Sequence, residues 1–255
     1  MVTGGASGIG KAMARAFRDA GCSVVVADLD RDGLAATATE LGVLGVPTDV
    51  ADPDSVAALA ERAVAEFGEV HVVCANAGVG PVGPVADLTL DDWRWMLQVN
   101  LFGVVHTVHA FLPLLRRNAD WGHLVVTSSM SALCPPPGLG AYVAAKAGVL
   151  GLTEVLAAEL AGTPVGTTVL LPGAVRTNIK ESMRSRPAGS GPSALADSDL
   201  AASGRPHRWL EPGEVADAVV DAVREGQPYV VTHPEWLSVA EQRFARIAAG
   251  AVAPA

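Results

Sequence analysis

Short runs of β-branched and leucine residues alternate with longer stretches of helical apolar spacing, and the alternation repeats about every 25 residues. Strand-like runs stand at 23–27, 43–46, 70–75, 124–127 and 167–171, and helical patterns at 31–41, 52–67, 90–115 and 141–160. The strand runs are largely apolar instead of alternating, which predicts burial on both faces. Continuous apolar strands separated by helices pair in parallel through right-handed crossovers, so the expected architecture is a parallel sheet covered by helices on both sides. With 255 residues, half of them hydrophobic and 18% charged, the chain has enough apolar material to bury one core as a single α/β domain.

Several of these strands end in residues with chemical potential. The chain opens with Met1 and Val2, then Thr3-Gly-Gly-Ala-Ser-Gly-Ile-Gly10, then a helical pattern. Glycines at 4, 8 and 10 ahead of a helix suit a tight turn whose backbone N–H groups approach a phosphate at the positive helix end. The spacing is not the GxGxxG of the usual dinucleotide turn, and on its own it is equally a plain loop. The run 23–27 closes on Asp28, where a carboxylate would hold an adenosine ribose through its hydroxyls and repel a 2′-phosphate. Asp52, just before Pro53, is placed as a helix N-cap. The run 70–75 leads into Asn76-Ala77-Gly78, and 167–171 into Pro172-Gly173.

The stretch Leu124–Gly151 carries the reactive groups. A buried strand ends at Ser128-Ser129, a Pro/Gly-rich bend follows, and a helix then places Tyr142 and Lys146, four apart, on one face. A free phenol with a pKa near 10 is a weak acid-base catalyst at neutral pH, and an ammonium one turn away favours the phenolate. Ser129 would then orient a carbonyl or alcohol oxygen against the tyrosine. Pairs of this kind are also common as a half-buried aromatic beside a solvated lysine. The surroundings decide between the two.

Charge narrows the partners. A net charge of -9 with no basic cluster larger than Arg116-Arg117 argues against nucleic acid and against an anionic membrane. No uninterrupted apolar run reaches about 18 residues, and no basic n-region precedes an apolar segment, so the expectation is a soluble, cytoplasmic protein. Cys22, Cys74 and Cys134 are widely spaced and read as reduced, buried small hydrophobes, with no metal site.

Taken together, these segments resemble the short-chain dehydrogenase/reductase family over nearly the whole chain. TGGASGIG at 3–10 is similar to the family's TGxxxGxG loop, Asn76-Ala77-Gly78 to its NAG motif, and the segment from Pro172 to Thr177 to its PGxVxT. Asn100, Ser129, Tyr142 and Lys146 match its catalytic tetrad. The resemblance implies a Rossmann-like, doubly wound fold, one NAD(P)-binding domain over 1–255 with a parallel sheet of about seven strands. It implies Tyr142 as the acid/base and Lys146 as the group that lowers its pKa and holds the nicotinamide ribose. Ser129 would position the substrate oxygen, and Asn100 would anchor a proton-relaying water. Gly4, Ser7, Ile9 and Gly10 would cradle the diphosphate. Asp49 and Val50 would meet the adenine, Asn76 and Gly78 the adenine ribose side, and Thr177 the carboxamide. Family members that use NADP usually carry a basic residue where this chain has Ser7 or Asp28-Leu29, so NAD is the expected cofactor.

The likeness has two departures. Only Met1 and Val2 precede Thr3, about half a first strand, so the numbered start is either truncated or preceded by further sequence. The tail, Gln227 to Trp236 followed by a helical pattern to about Ala249, replaces the ending that many relatives use in a tetramer contact. A homo-oligomer, dimer or tetramer, remains the expectation. The region 178–207 turns to Ser, Gly, Pro and Arg and reads as a mobile substrate lid, with a surface insertion as the alternative. Arg184 and Arg186 read as solvated lid residues, with contact to an anionic carrier as the alternative. Met130, Leu133, the prolines at 135–137 and Leu139 make an apolar wall beside Ser129. The expected substrate is a lipophilic secondary alcohol or its ketone, terpenoid- or steroid-like. Rival readings are a 3-oxoacyl thioester reductase using NADPH and a non-catalytic, dinucleotide-sensing regulator.

Overall fold

The fold was analysed in a computed structural model that describes residues 1–118, 120–197 and 208–251. Strand β1 (Val2–Thr3) lies between β2 (Val25–Asp28) and β4 (Val72–Ala75), and all three are parallel. With β3 (Leu44–Pro47), β5 (Gly122–Thr127), β6 (Val165–Leu171) and β7 (Tyr229–Val231) they form one seven-stranded parallel sheet in the order β3-β2-β1-β4-β5-β6-β7. The chain winds outward in one direction through β3 and in the other from β4. A crevice therefore opens at the carboxyl ends between β1 and β4, where such sheets hold ligands.

Each strand feeds two cores because successive side chains point to opposite faces. Val26, Cys74 and Val125 face helices α1 (Gly8–Asp19), α2 (Arg31–Leu41) and α8 (Pro212–Glu225), meeting Met13, Phe17, Leu34 and Val219. Val25, Val73 and Leu124 face α3 (Pro53–Phe67) and two further helices, meeting Leu59, Phe111 and Val149. As expected, Asp52 caps α3 by accepting from Asp54 N, with Pro53 in the first turn.

The pattern at 90–115 resolves into α4 (Leu90–Leu97), one wide π turn at Gln98–Phe102 and α5 (Gly103–Leu115), running on without a break. The π turn carries Asn100. Helix α7 (Gly140–Glu159) carries Tyr142 and Lys146 and follows the short α6 (Met130–Leu133). By length and composition alone, the stretches Leu90–Leu115 and Gly140–Glu159 are apolar enough to cross a membrane. Polar residues interrupt both, so neither is a continuous apolar run. In this fold both pack against the sheet through Phe111, Leu115, Val149 and Leu156.

One expectation about burial needs correction. Cys74 and Cys134 are buried, but Cys22 is exposed because it follows the end of α1 and precedes β2 instead of lying within either. Within the region read as a lid, Asn178–Ser185 forms 3₁₀ turns and 186–197 is irregular but tied to the body, while 198–207 lies outside the described residues. The tail passes from β7 through a 3₁₀ turn (Pro234–Trp236) into α9 (Leu237–Ala249).

Candidate active site

A cleft of about 1040 Å³ opens at the carboxyl ends of the strands. Every site residue named from the sequence lines it except Asn100, which is fully buried behind the wall. The turn after β1 is glycine-dependent: Gly4 has φ +69°, and a Cβ on Gly10 would lie 2.1 Å from the Gly4 carbonyl oxygen. Ser7 is the N-cap of α1 yet its side chain caps nothing, so no serine oxygen competes for the first-turn amides that face the cleft. Such an N-terminus fits an anionic diphosphate.

Thr3 fastens β1 to the end of β4. Its Oγ1 accepts from Asn76 N at 2.9 Å and Ala77 N at 3.1 Å, while Asn76 Nδ2 donates to Thr3 O at 3.0 Å. At the end of β2 the Asp28 carboxylate accepts from Ala6 N at 2.9 Å and Asp30 N at 3.0 Å, which fixes it at the rim. Asp49 Oδ1 accepts from Ala51 N at 2.9 Å. Val50 packs against Gly103, where a Cβ would come within 2.8 Å of its side chain. Thr177, capping the 3₁₀ turns, lies against Gly8.

At the other end of the cleft, Ser129 is the N-cap of α6 and only 8% exposed. Its Oγ accepts from Ser131 N at 3.1 Å and from the Ser131 hydroxyl at 2.9 Å. Lys146 is 2% exposed; its Nζ donates to Thr127 O at 2.8 Å and lies 5.8 Å from the centroid of the Tyr142 ring. Asn100 Oδ1 accepts from Val79 N at 3.1 Å, and its Nδ2 donates to Val79 O and Met96 O. A Cβ on Gly78 would lie 2.8 Å from Asn100 Oδ1 and 3.4 Å from Lys146 Nζ, so this glycine lets both side chains close on the strand end.

The family model described as short chain dehydrogenase matches residues 1–188. The chain belongs to the short-chain dehydrogenase family. C alpha-dehydrogenase of Sphingobium sp. strain SYK-6 is 33% identical over 255 residues, covering 96% of this chain and 84% of that protein. The 1-deoxy-11-beta-hydroxypentalenate dehydrogenase of Streptomyces avermitilis is 36% identical over 242 residues, covering 92% and 84%. A short chain dehydrogenase/reductase from Burkholderia phymatum, solved in complex with NAD, superposes with a TM-score of 0.91 at 35% identity, covering 100% of this chain and 96% of that one. This short-chain dehydrogenase is an oxidoreductase acting on CH–OH groups, and its cofactor is a nicotinamide dinucleotide.

The electrostatics of this dehydrogenase depart from the sequence expectation in one respect. Burial pushes the Tyr142 hydroxyl above its ordinary pKa, with a hydrogen bond from Ser129 working against the rise. Burial lowers Lys146 to about 8. Lys146 was expected to bring the phenol down, but its ammonium is itself destabilised by burial and donates to a backbone carbonyl.

Sequence reasoning also missed three features in and beside the dehydrogenase's cleft. Trp236, from the tail, lines it near Cys134, whose thiol donates to Trp236 O at 3.3 Å. Asp92, fully buried, caps α4 together with Thr89 and also accepts from Arg186 at 3.0 Å and Ser193 at 2.6 Å, so the segment after Ser185 is latched to that helix. Arg186 is thus an ion-pair partner, only 11% exposed, where the sequence reading had it solvated. Ser131 is the third. Its position two residues past Ser129 was the only available signal.

Proposed function

We propose that this short-chain dehydrogenase interconverts a lipophilic secondary alcohol, terpenoid- or steroid-like, and its ketone, using NAD. The observation that carries this reading is a single cleft joining Tyr142, Ser129 and Lys146 to an apolar wall that includes Trp95, Met130, Pro136, Leu139 and Trp236. The bound dinucleotide supplies the hydride acceptor. In the oxidative direction Tyr142 Oη takes the alcohol proton while Ser129 Oγ–H holds the same oxygen and stabilises its developing charge. Lys146 provides positive charge from one helical turn away and holds the nicotinamide ribose. Asn100 fixes the loop at Val79 and holds a water that passes protons between Lys146 and solvent.

Gly4, Ser7, Ile9 and Gly10 would hold the diphosphate, Asp49 and Val50 the adenine, Asn76 and Gly78 the adjoining ribose, and Thr177 the carboxamide. NAD is favoured by Asp28, whose carboxylate at the rim would accept from ribose hydroxyls and repel a 2′-phosphate. The hydroxypentalenate dehydrogenase relative supports an oxidised, largely hydrocarbon substrate. Residues 178–197 form the described part of the proposed substrate lid, and the working unit is a homo-oligomer.

The test follows reduced-cofactor absorbance over a panel of cyclic secondary alcohols, with NAD and NADP in parallel. Turnover with NAD is expected, and Tyr142→Phe lowers kcat at least about 100-fold while NADH binding survives. Unchanged turnover in that variant would refute the mechanism. Asp28→Ser is expected to raise kcat/KM for NADP about tenfold or more by removing one repulsive charge. Faster wild-type turnover with NADP at equal concentration would overturn the cofactor assignment.

A further inference from the structure

A serine hydroxyl has one proton to give and two lone pairs to accept with. At Ser129 the acceptor side is occupied by a single neighbour, Ser131, through its amide at 3.1 Å and its hydroxyl at 2.9 Å. On the donor side, Pro172 O lies at 3.4 Å, well beyond the usual O–H···O length of about 2.7–2.8 Å, which leaves the Ser129 proton for the Tyr142 hydroxyl. That carbonyl already accepts from Met130 N at 2.9 Å. An N-cap serine needs only the amide two residues on, so the Ser131 hydroxyl is surplus to capping. Among the described residues this is the one hydrogen bond that Ser131 Oγ makes, and Ser131 lines the cleft.

We propose that Ser131 is a positioning residue: its hydroxyl occupies the acceptor side of Ser129 Oγ, so that Ser129 meets the reacting oxygen as a donor only. Its chemical purpose rests on the alcohol–ketone reading, but its geometry does not. Without the Ser131 hydroxyl, Ser129 is free to turn and accept from Tyr142 Oη–H or from the alcohol. Either contact favours the protonated oxygen and opposes proton removal. With Ser131 in place, Ser129 keeps its proton throughout, the alcohol proton passes to Tyr142, and the hydrogen bond from Ser129 favours the phenolate.

The experiment exploits the chain's having two tyrosines, Tyr142 and Tyr229. Tyr229 is exposed and bonded to Glu154, remote from the cleft, so Tyr229→Phe leaves Tyr142 as the only phenol. Tyrosinate absorbance then titrates Tyr142 without any substrate. Adding Ser131→Ala is expected to raise the midpoint by about 0.5–1 pH unit, the size of one lost hydrogen bond to the phenolate. Ser131→Thr, which keeps the hydroxyl, should restore the parent midpoint, and NADH affinity should be the same in all three proteins. In the oxidative direction the rise of kcat/KM with pH should move upward by the same amount in Ser131→Ala. Coincident titration curves for Ser131→Ala and its parent would overturn the proposal, as would a shift that the threonine variant fails to reverse. A panel in which no alcohol turns over would count against the alcohol reading alone, since the titration decides Ser131 independently.

Discussion

Lys146 is a cation held almost out of water, with a backbone carbonyl for company, and such a group costs stability. The sign follows from its lowered pKa. Between about pH 8 and the ordinary lysine value near 10.4, the unfolded chain holds a proton that the folded chain has released. Stability therefore rises with pH across that window, and below it the buried charge is a constant penalty. Lys146→Met should raise the unfolding free energy at pH 7 by about 1–2 kcal/mol in urea titrations while abolishing turnover, a trade of stability for function. A destabilised Lys146→Met would mean that the bond to Thr127 O outweighs the desolvation. Spacing made Tyr142, Lys146 and Ser129 legible as a group, because a helix brings residues four apart together. Their environment was not legible. The direction of the Tyr142 shift depends on what buries it, and the burying residues come from distant parts of the chain.

Helices and strands were readable wherever one period held for several turns, as in α2, whose bounds match expectation, and α3 with its Asp52 cap. The π turn at Gln98–Phe102 was not, since a wider turn uses the same residue types as the α-helix around it. Nor was the tie between α4 and the segment after Ser185, because Asp92 and Arg186 are 94 residues apart and Asp92 already has a local use in the capping box. That tie carries a prediction about the element. Removing one member of a buried ion pair strands the other, typically costing about 3–5 kcal/mol. Asp92→Ala should lower thermal stability accordingly. It should also raise KM for the alcohol with little change in NADH affinity, because the segment it anchors begins directly after Arg184 and Ser185, which line the cleft. Equal losses in both affinities would place the segment over the cofactor instead.

At the scale of the whole molecule, the cleft is assembled from the ends of β1 through β6, so a dinucleotide lying in it would bridge both halves of the doubly wound sheet. A ligand that binds only the folded state at 100 times its Kd adds about 2.7 kcal/mol. For a chain of this length that amounts to a Tm increase of about 5–10 °C. NADH should produce that rise in calorimetry, and NADPH at the same concentration should produce less; equal rises would deny Asp28 a part in selection. The π turn sets a different kind of limit, on the routes by which this protein can be altered. A helix that holds an extra residue cannot shed it by substitution. Only a deletion can, and where a regular helix losing one residue would roll everything beyond it by about 100° and draw it back about 1.5 Å, here the wide turn would close to an α turn and take up the loss. Gly103, Thr107 and Phe111, all buried, would keep their seats while Asn100 left its own. A lineage of point changes can therefore remake the substrate wall residue by residue, yet it inherits the frame of this helix unchanged.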